Sequence, residues 1–519
     1  MKNLLSGIVV LTILALAGIA VLAFWVGPQV EEQTRQEIAA VSEAVSIPGQ
    51  LQFSRPDVKE IKFSPFSRRL TLRGAEIRGE MPPLAGSSLR YTLEEASFRI
   101  PLRMLLVYTP LRDMVLSEKS MMTVGEDIRI SNFASAFSQG SISTRSMVRS
   151  EEADAIRLES SLVRELLEGK ESLDMLNAVY HMGIGEIRAS SITSGINISE
   201  QGMRMEFNCD SMLIRNWEGR SMEKACMDGI FLKKEEQEFL RLGNITVTGC
   251  TLPEEATVRE LLTLAARPKP NERALQALLL RMFTTGEPLV REISAMDLRV
   301  PLDGQDVIFK NFTLTWPSNT SLKYGLSLDK LSLPTALVER GSGLSLPGLP
   351  ALVLDAKLDF AAQGNGSMHV SAQNLGALEY DFVISGGATP ASPHALFASA
   401  LSDVRLKYTD QRLTAYLVSN VVPVAQAATP TLKAAIAQFC PGDSPENADL
   451  RGALETFATS PGVLEIRSKP GKNFRLSEAA GALAGGNPAA LFSVTAQPGK
   501  KNLEEQINAL KAVSAPAAQ

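Results

Sequence analysis

The chain has 519 residues, a formal net charge of −5 and a pI near 5.6, with 45% hydrophobic and 21% charged residues. Lys and Arg are nowhere concentrated into a phosphate-binding surface, which argues against nucleic acid as a partner. Only three histidines occur, His181, His369 and His394, and none has a Cys, Asp or Glu at ligand spacing, which argues against a metal site or a histidine-based triad. Aromatic residues are 6%, so the core must rest on Leu, Ile, Val, Ala and Met.

The first element is an uncharged run from Leu4 to Val26. At about 1.5 Å per helical residue, such a run spans the ~30 Å hydrocarbon core of a bilayer. Phe24 and Trp25 stand at its outer end, where aromatic rings favour the interface, and Gly27-Pro28 punctuates it. A cleaved signal peptide would have a shorter apolar region and small residues at its cleavage site, whereas bulky Phe24-Trp25-Val26 occupy that place here. A transmembrane signal anchor over residues 1–27 is therefore expected. Lys2 precedes the run and Glu31 and Glu32 follow it, so the positive-inside rule places the bulk of the chain outside the cytoplasm. In a bacterium that is an inner-membrane protein with a periplasmic body.

Residues 28–48 read as a helical stalk, with Val30, Ile38, Val41 and Val45 as a sparse apolar stripe ended by Pro48-Gly49. Short alternating segments dominate beyond it. Over residues 49–145 they are Arg69–Arg73, Ala96–Ile100 and Asp127–Ile130. Over 146–400 they are Met203–Cys209, Asn244–Val247, Asn311–Trp316, Leu352–Phe360 and Ser367–Ala372, and Asp403–Tyr408 follows. Alternation with period two means one wet and one buried face, as in antiparallel sheet. Helices interrupt the strands. One carries Leu162, Val163, Leu166 and Leu167; a second opens on the capping-box spacing Thr251-Leu-Pro-Glu254 and carries Val258, Leu261, Leu262 and Ala265; a third carries Leu275, Leu278, Leu279 and Met282. Residues 401–513 read as a helical C-terminal domain, through Thr431–Phe439, Asp449–Phe457 and Asn502–Val513, with 514–519 a disordered tail.

Motifs that carry chemistry fail on context. Gly183-Ile-Gly185 lacks the third glycine of a dinucleotide fingerprint and precedes a strand. Ser221-Met-Glu-Lys224 and Ser327-Leu-Asp-Lys330 match Ser-x-x-Lys without a helix or a companion Lys-Thr-Gly. No catalytic residue, cofactor site or metal site is assigned. The cysteines stand at 209, 226, 250 and 440, without the paired short spacings of a zinc site. A hairpin turning at Trp217-Glu218-Gly219 sets Cys209 opposite Cys226, where a disulfide is a candidate and free buried thiols are the alternative.

Residues 58–133 include RLTLRGAEI, then ASFRIPLRMLL, then IRISN. This succession resembles the opening of AsmA-like bacterial envelope proteins. The resemblance implies one N-terminal membrane helix, a long curved periplasmic sheet, and a role in outer-membrane homeostasis and phospholipid movement along an apolar groove. It supplies no catalytic residues. The helices between 150 and 285 and the helical end depart from that family. The expected fold is α+β: a transmembrane helix, a curved antiparallel sheet body with helical insertions, and a small helical C-terminal domain. The expected function is non-enzymatic, holding lipid on an apolar sheet face lined by residues such as Leu70, Phe98, Leu314 and Leu354, or supporting envelope integrity. The rival is a scaffold or assembly module for another envelope protein. Topology is directly testable: a reporter active only outside the cytoplasm, fused after Gln519, is expected to be active, and activity of a cytoplasm-only reporter there refutes the orientation.

Overall fold

The computed structural model describes residues 27–44, 52–82, 86–107, 111–117, 120–167, 179–265, 273–274, 278, 290–316, 323–361, 364–384, 400–422, 424–440, 445–475, 478, 481 and 488–514. The Leu4–Val26 run lies outside them, as do most of the expected third helix and the tail beyond Ser514. Among the described residues no helix is long and apolar enough to cross a membrane. The fold is mostly antiparallel sheet, with about 27% helix. It divides into two units, Met1–Val290 and Arg291–Gln519.

The first unit opens on α1 (Gly27–Ala44), then β1 (Gln52–Phe53), β2 (Asp57–Ser64), β3 (Arg69–Glu80) and β4 (Ser88–Arg99). Two short helices, α2 (Leu102–Leu106) and α3 (Arg112–Leu116), precede β5 (Met121–Gln139) and β6 (Ile142–Glu159). After α4 (Ser160–Leu167) come β7 (Met182–Ile198), β8 (Met203–Glu218), β9 (Ser221–Lys234), β10 (Gln237–Thr251) and α5 (Glu255–Ala265). Both β1 and β2 pair with β3, and from β3 to β10 each strand pairs antiparallel with the next. Such a meander needs only local connections.

The strands run far beyond the alternating segments, β5 reaching 19 residues against the four expected at Asp127–Ile130. The reason is a line of backbone irregularities across the sheet. Gly74, Asn132, Ser191 and Gly229 have φ of +60°, +49°, +50° and +60°. They lie on alternate strands at the step where each ladder skips a pair, for instance between Ile192↔Cys209 and Ser190↔Ser211. There, two successive residues turn to the polar face: Asp210 lies against Gly229, and the Ser211 hydroxyl donates to Asp228 at 2.9 Å. A second line carries Asp127, Asn216 and Gly249 at φ +47°, +49° and +63°. Apolar residues therefore fall at steps of two and three. On β8 they are Phe207, Cys209, Met212, Ile214 and Trp217; on β10 they are Leu240, Leu242, Ile245, Val247 and Cys250. A bulge re-aims side chains and bends its strand, and here it keeps most of the apolar residues on one face across successive strands.

One end of that face is covered by the chain itself. Val30 of α1, Met104 and Leu105 of α2, Val115 and Leu116 of α3 and Val163 of α4 pack with Phe63, Leu70 and Met122 in one buried cluster. The expected stalk is thus a packed element: Val30 is fully buried and Glu31 accepts the Phe63 N–H at 2.7 Å. Thr251 does not cap the next helix, since it closes β10 opposite Ser221 while α5 begins at Glu255.

The second unit runs β11 (Glu292–Leu302), β12 (Gln305–Thr315), β13 (Lys323–Pro334), α6 (Thr335–Ser342), β14 (Ala351–Ala361), β15 (Asn365–Ala372), β16 (Gly376–Ile384) and β17 (Ala400–Asp410). Then come α7 (Leu413–Val421), α8 (Ala425–Phe439), α9 (Pro445–Thr459), β18 (Val463–Ser468), β19 (Phe474–Arg475), β20 (Phe492–Gln497) and α10 (Leu503–Ser514). Strands β11 to β17 form a second antiparallel meander, β17 pairs both β18 and β19, and β18 pairs β20. Residues 401–513 are therefore not a helical domain. Their helices are there, but β17 adds to β16, and Tyr416, Ala428, Leu503 and Ile507 bury α7, α8 and α10 against Leu375.

The bulge line generates a stability prediction. A Cβ at Gly229 would sit 2.0 Å from Asp210 Oδ2, whereas one at Gly140 (φ +53°) meets nothing within 4 Å. Gly140→Ala is expected to cost only the left-handed backbone penalty, about 1 kcal/mol, and Gly229→Ala about 2 kcal/mol or more. In urea melts, adding Asp210→Ala to Gly229→Ala should recover the difference; equal costs for the two alanines refute the packing account.

Candidate functional site

The face left by the bulge pattern is built of cross-strand ladders, since paired residues share a face. One runs Leu93, Phe133, Val148, Ile192, and on to Cys209. Another runs Ala153, Ile187, Ile214, Ala225, Val247. Away from the helices this face reaches solvent: Phe133 is 36% exposed, Ile142 40% and Ile196 43%. Tyr91 bridges Phe53 and Phe133 in a row of rings spaced 6.1 and 6.3 Å.

Of the four expected lining residues, Leu70 and Phe98 are direct register partners. Leu70 is 2% exposed inside the helix-covered cluster, and Phe98 packs against it, so both belong to the covered end. Leu314 and Leu354 lie in the second unit on separate ladders, one with Ile293 and Leu326, the other with Leu331 and Ala372. Both are half-buried, while Leu358 and Tyr324 beside them are each 40% exposed. The exposed residues Phe133 and Ile196 escaped a search for strict alternation. Apolar spacing of two, three, two, three along successive segments is the signal that finds them.

The opposite face is polar. Ser150 and Ser190 share a hydrogen bond of 2.6 Å, Asn244 donates to Asp228 at 2.6 Å, and Arg215 donates to Glu186 at 2.8 Å. A shallow trough of about 800 Å³ crosses it, lined in part by Arg90, Ser138, Arg145, Gly195, Arg204 and Glu206. Arg90 is held by Glu76 at 3.0 Å, and Arg204 pairs with Glu206 and Glu236, so much of its positive charge is already spoken for.

A row of serines, Ser135, Ser146 and Ser194, crosses this face, and one carboxylate stands on it. Glu151 of β6 stands in register between Ile130 and Ala189, on a ladder that continues through Met212, Met227 and Ile245. It is half-buried and makes no hydrogen bond or ion pair with the described residues. Burial pushes its carboxyl above the ordinary carboxylate range.

All four cysteines are free thiols. The β8–β9 turn is centred between Gly219 and Arg220, with Glu218 facing Ser221, so Cys226 falls opposite Leu213 and Asn208 opposite Phe231. Cys209 is thus displaced from Cys226 by four positions, and its thiol donates to the Ser211 and Asp228 carbonyls at 3.1 and 3.4 Å. The expected facing pair does not form. His181 contacts Glu159 at 2.9 Å and His369 pairs in register with Glu379, while His394 lies outside the described residues. Among the described residues no His, Cys, Asp and Glu cluster could hold a metal ion. Gly183 and Gly185 lie inside β7, and Ser221 and Ser327 begin or occupy strands, so none of the three short motifs has its required helix.

The chain matches no family model, no curated protein and no solved structure.

Burial of Glu151 has a pH signature. A carboxyl whose folded pKa is raised favours the protonated native state, so its cost is absent below the ordinary carboxylate pKa and grows as pH rises through the raised value. Glu151→Gln removes that cost. Relative to the parent, its melting temperature is expected to rise between pH 4 and pH 8; a constant difference across that range refutes the assignment.

Proposed function

We propose that this chain is a non-enzymatic, membrane-anchored protein of the bacterial envelope, periplasmic in its bulk, that holds lipid on its apolar sheet face. The observation that carries the reading is the pairing of a long in-register apolar face with exposed Phe133, Ile142 and Ile196 at the end away from its own helices. Apolar surface left in water forgoes roughly 25 cal/mol per Å², so apolar ladders of this kind, crossed by the Ser135–Ser146–Ser194 row, favour an occupant. Acyl chains need no fixed polar partners, which fits ladders of Ile, Leu, Met and Phe. The Leu4–Val26 run supplies the anchor, and the AsmA-like opening points the same way.

A second reading is a scaffold that binds another envelope protein. It draws on the covered end, where α1 to α4 already fill the face around Leu70. Photo-crosslinkers separate the two. In cells, positions Phe133, Ile196, Leu314 and Leu354 are expected to capture phospholipid, while Leu70 and Phe98 capture the chain's own helices. Protein adducts alone at all four of the former positions refute the lipid reading and favour the scaffold.

A further inference from the structure

The apolar face of the first unit carries one feature that acyl chains alone do not explain. Along its described positions from β4 to β10, Glu151 is the one carboxylate, and it lies on a central strand, not at a rim. The residues facing it from β5 are Ile128, Ile130 and Phe133, and from β7 they are Ile187, Ala189 and Ile192; none is charged. The charged neighbours on its own strand, Arg149 and Glu152, turn to the polar face, where Ser150 bonds Ser190 and Glu152 pairs in register with Arg129 and Arg188. A half-buried carboxylate without a counter-charge is unfavourable by itself, and a cationic hydrogen-bond donor relieves it.

We propose that Glu151 is the headgroup-recognition residue of this face and that the ligand is an amphiphile bearing a primary ammonium, of the phosphatidylethanolamine kind. This rests on the lipid reading above. The ammonium sits against the carboxylate, and the acyl chains run over the Ile187, Ile192 and Ile196 side of the sheet. An anionic lipid such as phosphatidylglycerol offers only neutral hydroxyl donors and a net negative charge at the same spot, so the one residue supplies both attraction and exclusion.

The test uses the full chain in nanodiscs of equal phosphatidylethanolamine and phosphatidylglycerol, with a photo-crosslinker at Ile192 or Ile196 and adducts weighed by mass spectrometry. The parent is expected to yield ethanolamine adducts in about tenfold excess, the scale of one charge-assisted hydrogen bond. Glu151→Gln should bring the ratio to that of the nanodisc, and Glu151→Asp should keep a preference. A parent ratio equal to the nanodisc, or a preference that survives Glu151→Gln, overturns the headgroup assignment and leaves the lipid reading standing. Absence of lipid adducts at both positions overturns both.

Discussion

Long antiparallel strands face a conflict between twist and patterning. A strand coils as it lengthens, and strict alternation over 15 or more residues must follow that coil with every second side chain. In this protein the conflict is resolved by lines of positive-φ residues, Gly74, Asn132, Ser191 and Gly229 in one and Asp127, Asn216 and Gly249 in the other. Each gives the strand a bend and sends two consecutive residues to the polar side. The rest of the first unit depends on this. Without the line, Cys209 and Met212, or Val148 and Glu151, would point to opposite faces, and the sheet would be mixed on both sides. The same device recurs in the second unit, where Asp297 and Lys330 have φ of +54° and +50° and the Lys330 N–H is held by Asp355 at 2.8 Å.

The two faces are then stabilised by different physics. On the polar side, serine, arginine and glutamate ladders such as Ser150–Ser190 and Arg215–Glu186 link neighbouring strands, each exposed pair contributing only modestly. On the apolar side, among the described residues, the chain's own helices α1 to α4 gather over Phe63, Leu70 and Met122 at one end. In the second unit Tyr416, Leu503 and Ile507 do the same over Leu375. These helices anchor the sheets at defined ends. The Asp410 carboxylate illustrates how tightly: it accepts the Tyr408 hydroxyl at 2.6 Å and the Thr414 N–H at 2.8 Å, tying the end of β17 to the first turn of α7.

The function proposed above rests on a surface, a largely apolar sheet face with one carboxylate in its midst. Position matters more than residue type here. A glutamate at a strand rim would be an ordinary solvated side chain, whereas Glu151 between Ile130 and Ala189 meets only apolar neighbours on its face. Its meaning comes from the register.

Local sequence determined that strands exist where alternation is clean, as at Arg69–Arg73 and Ser367–Ala372, because period two is a local property of the chain. It determined helices at Ser160–Leu167 and Leu503–Ser514 for the same reason, through apolar spacing near 3.6. It did not determine strand length, because the alternation breaks at each bulge and a broken pattern reads as an end. It misplaced the Cys209 partner, because a two-residue shift in the turn centre moves every pairing by twice as much along the opposite strand. The tertiary structure alone decided that the 28–44 helix packs on the sheet, that Leu70 is covered while Ile196 is not, and that Glu151 belongs to the apolar face. Each depends on which strands lie side by side and where the bulge line crosses them, and hydrogen-bond register is a relation between segments that no single segment contains.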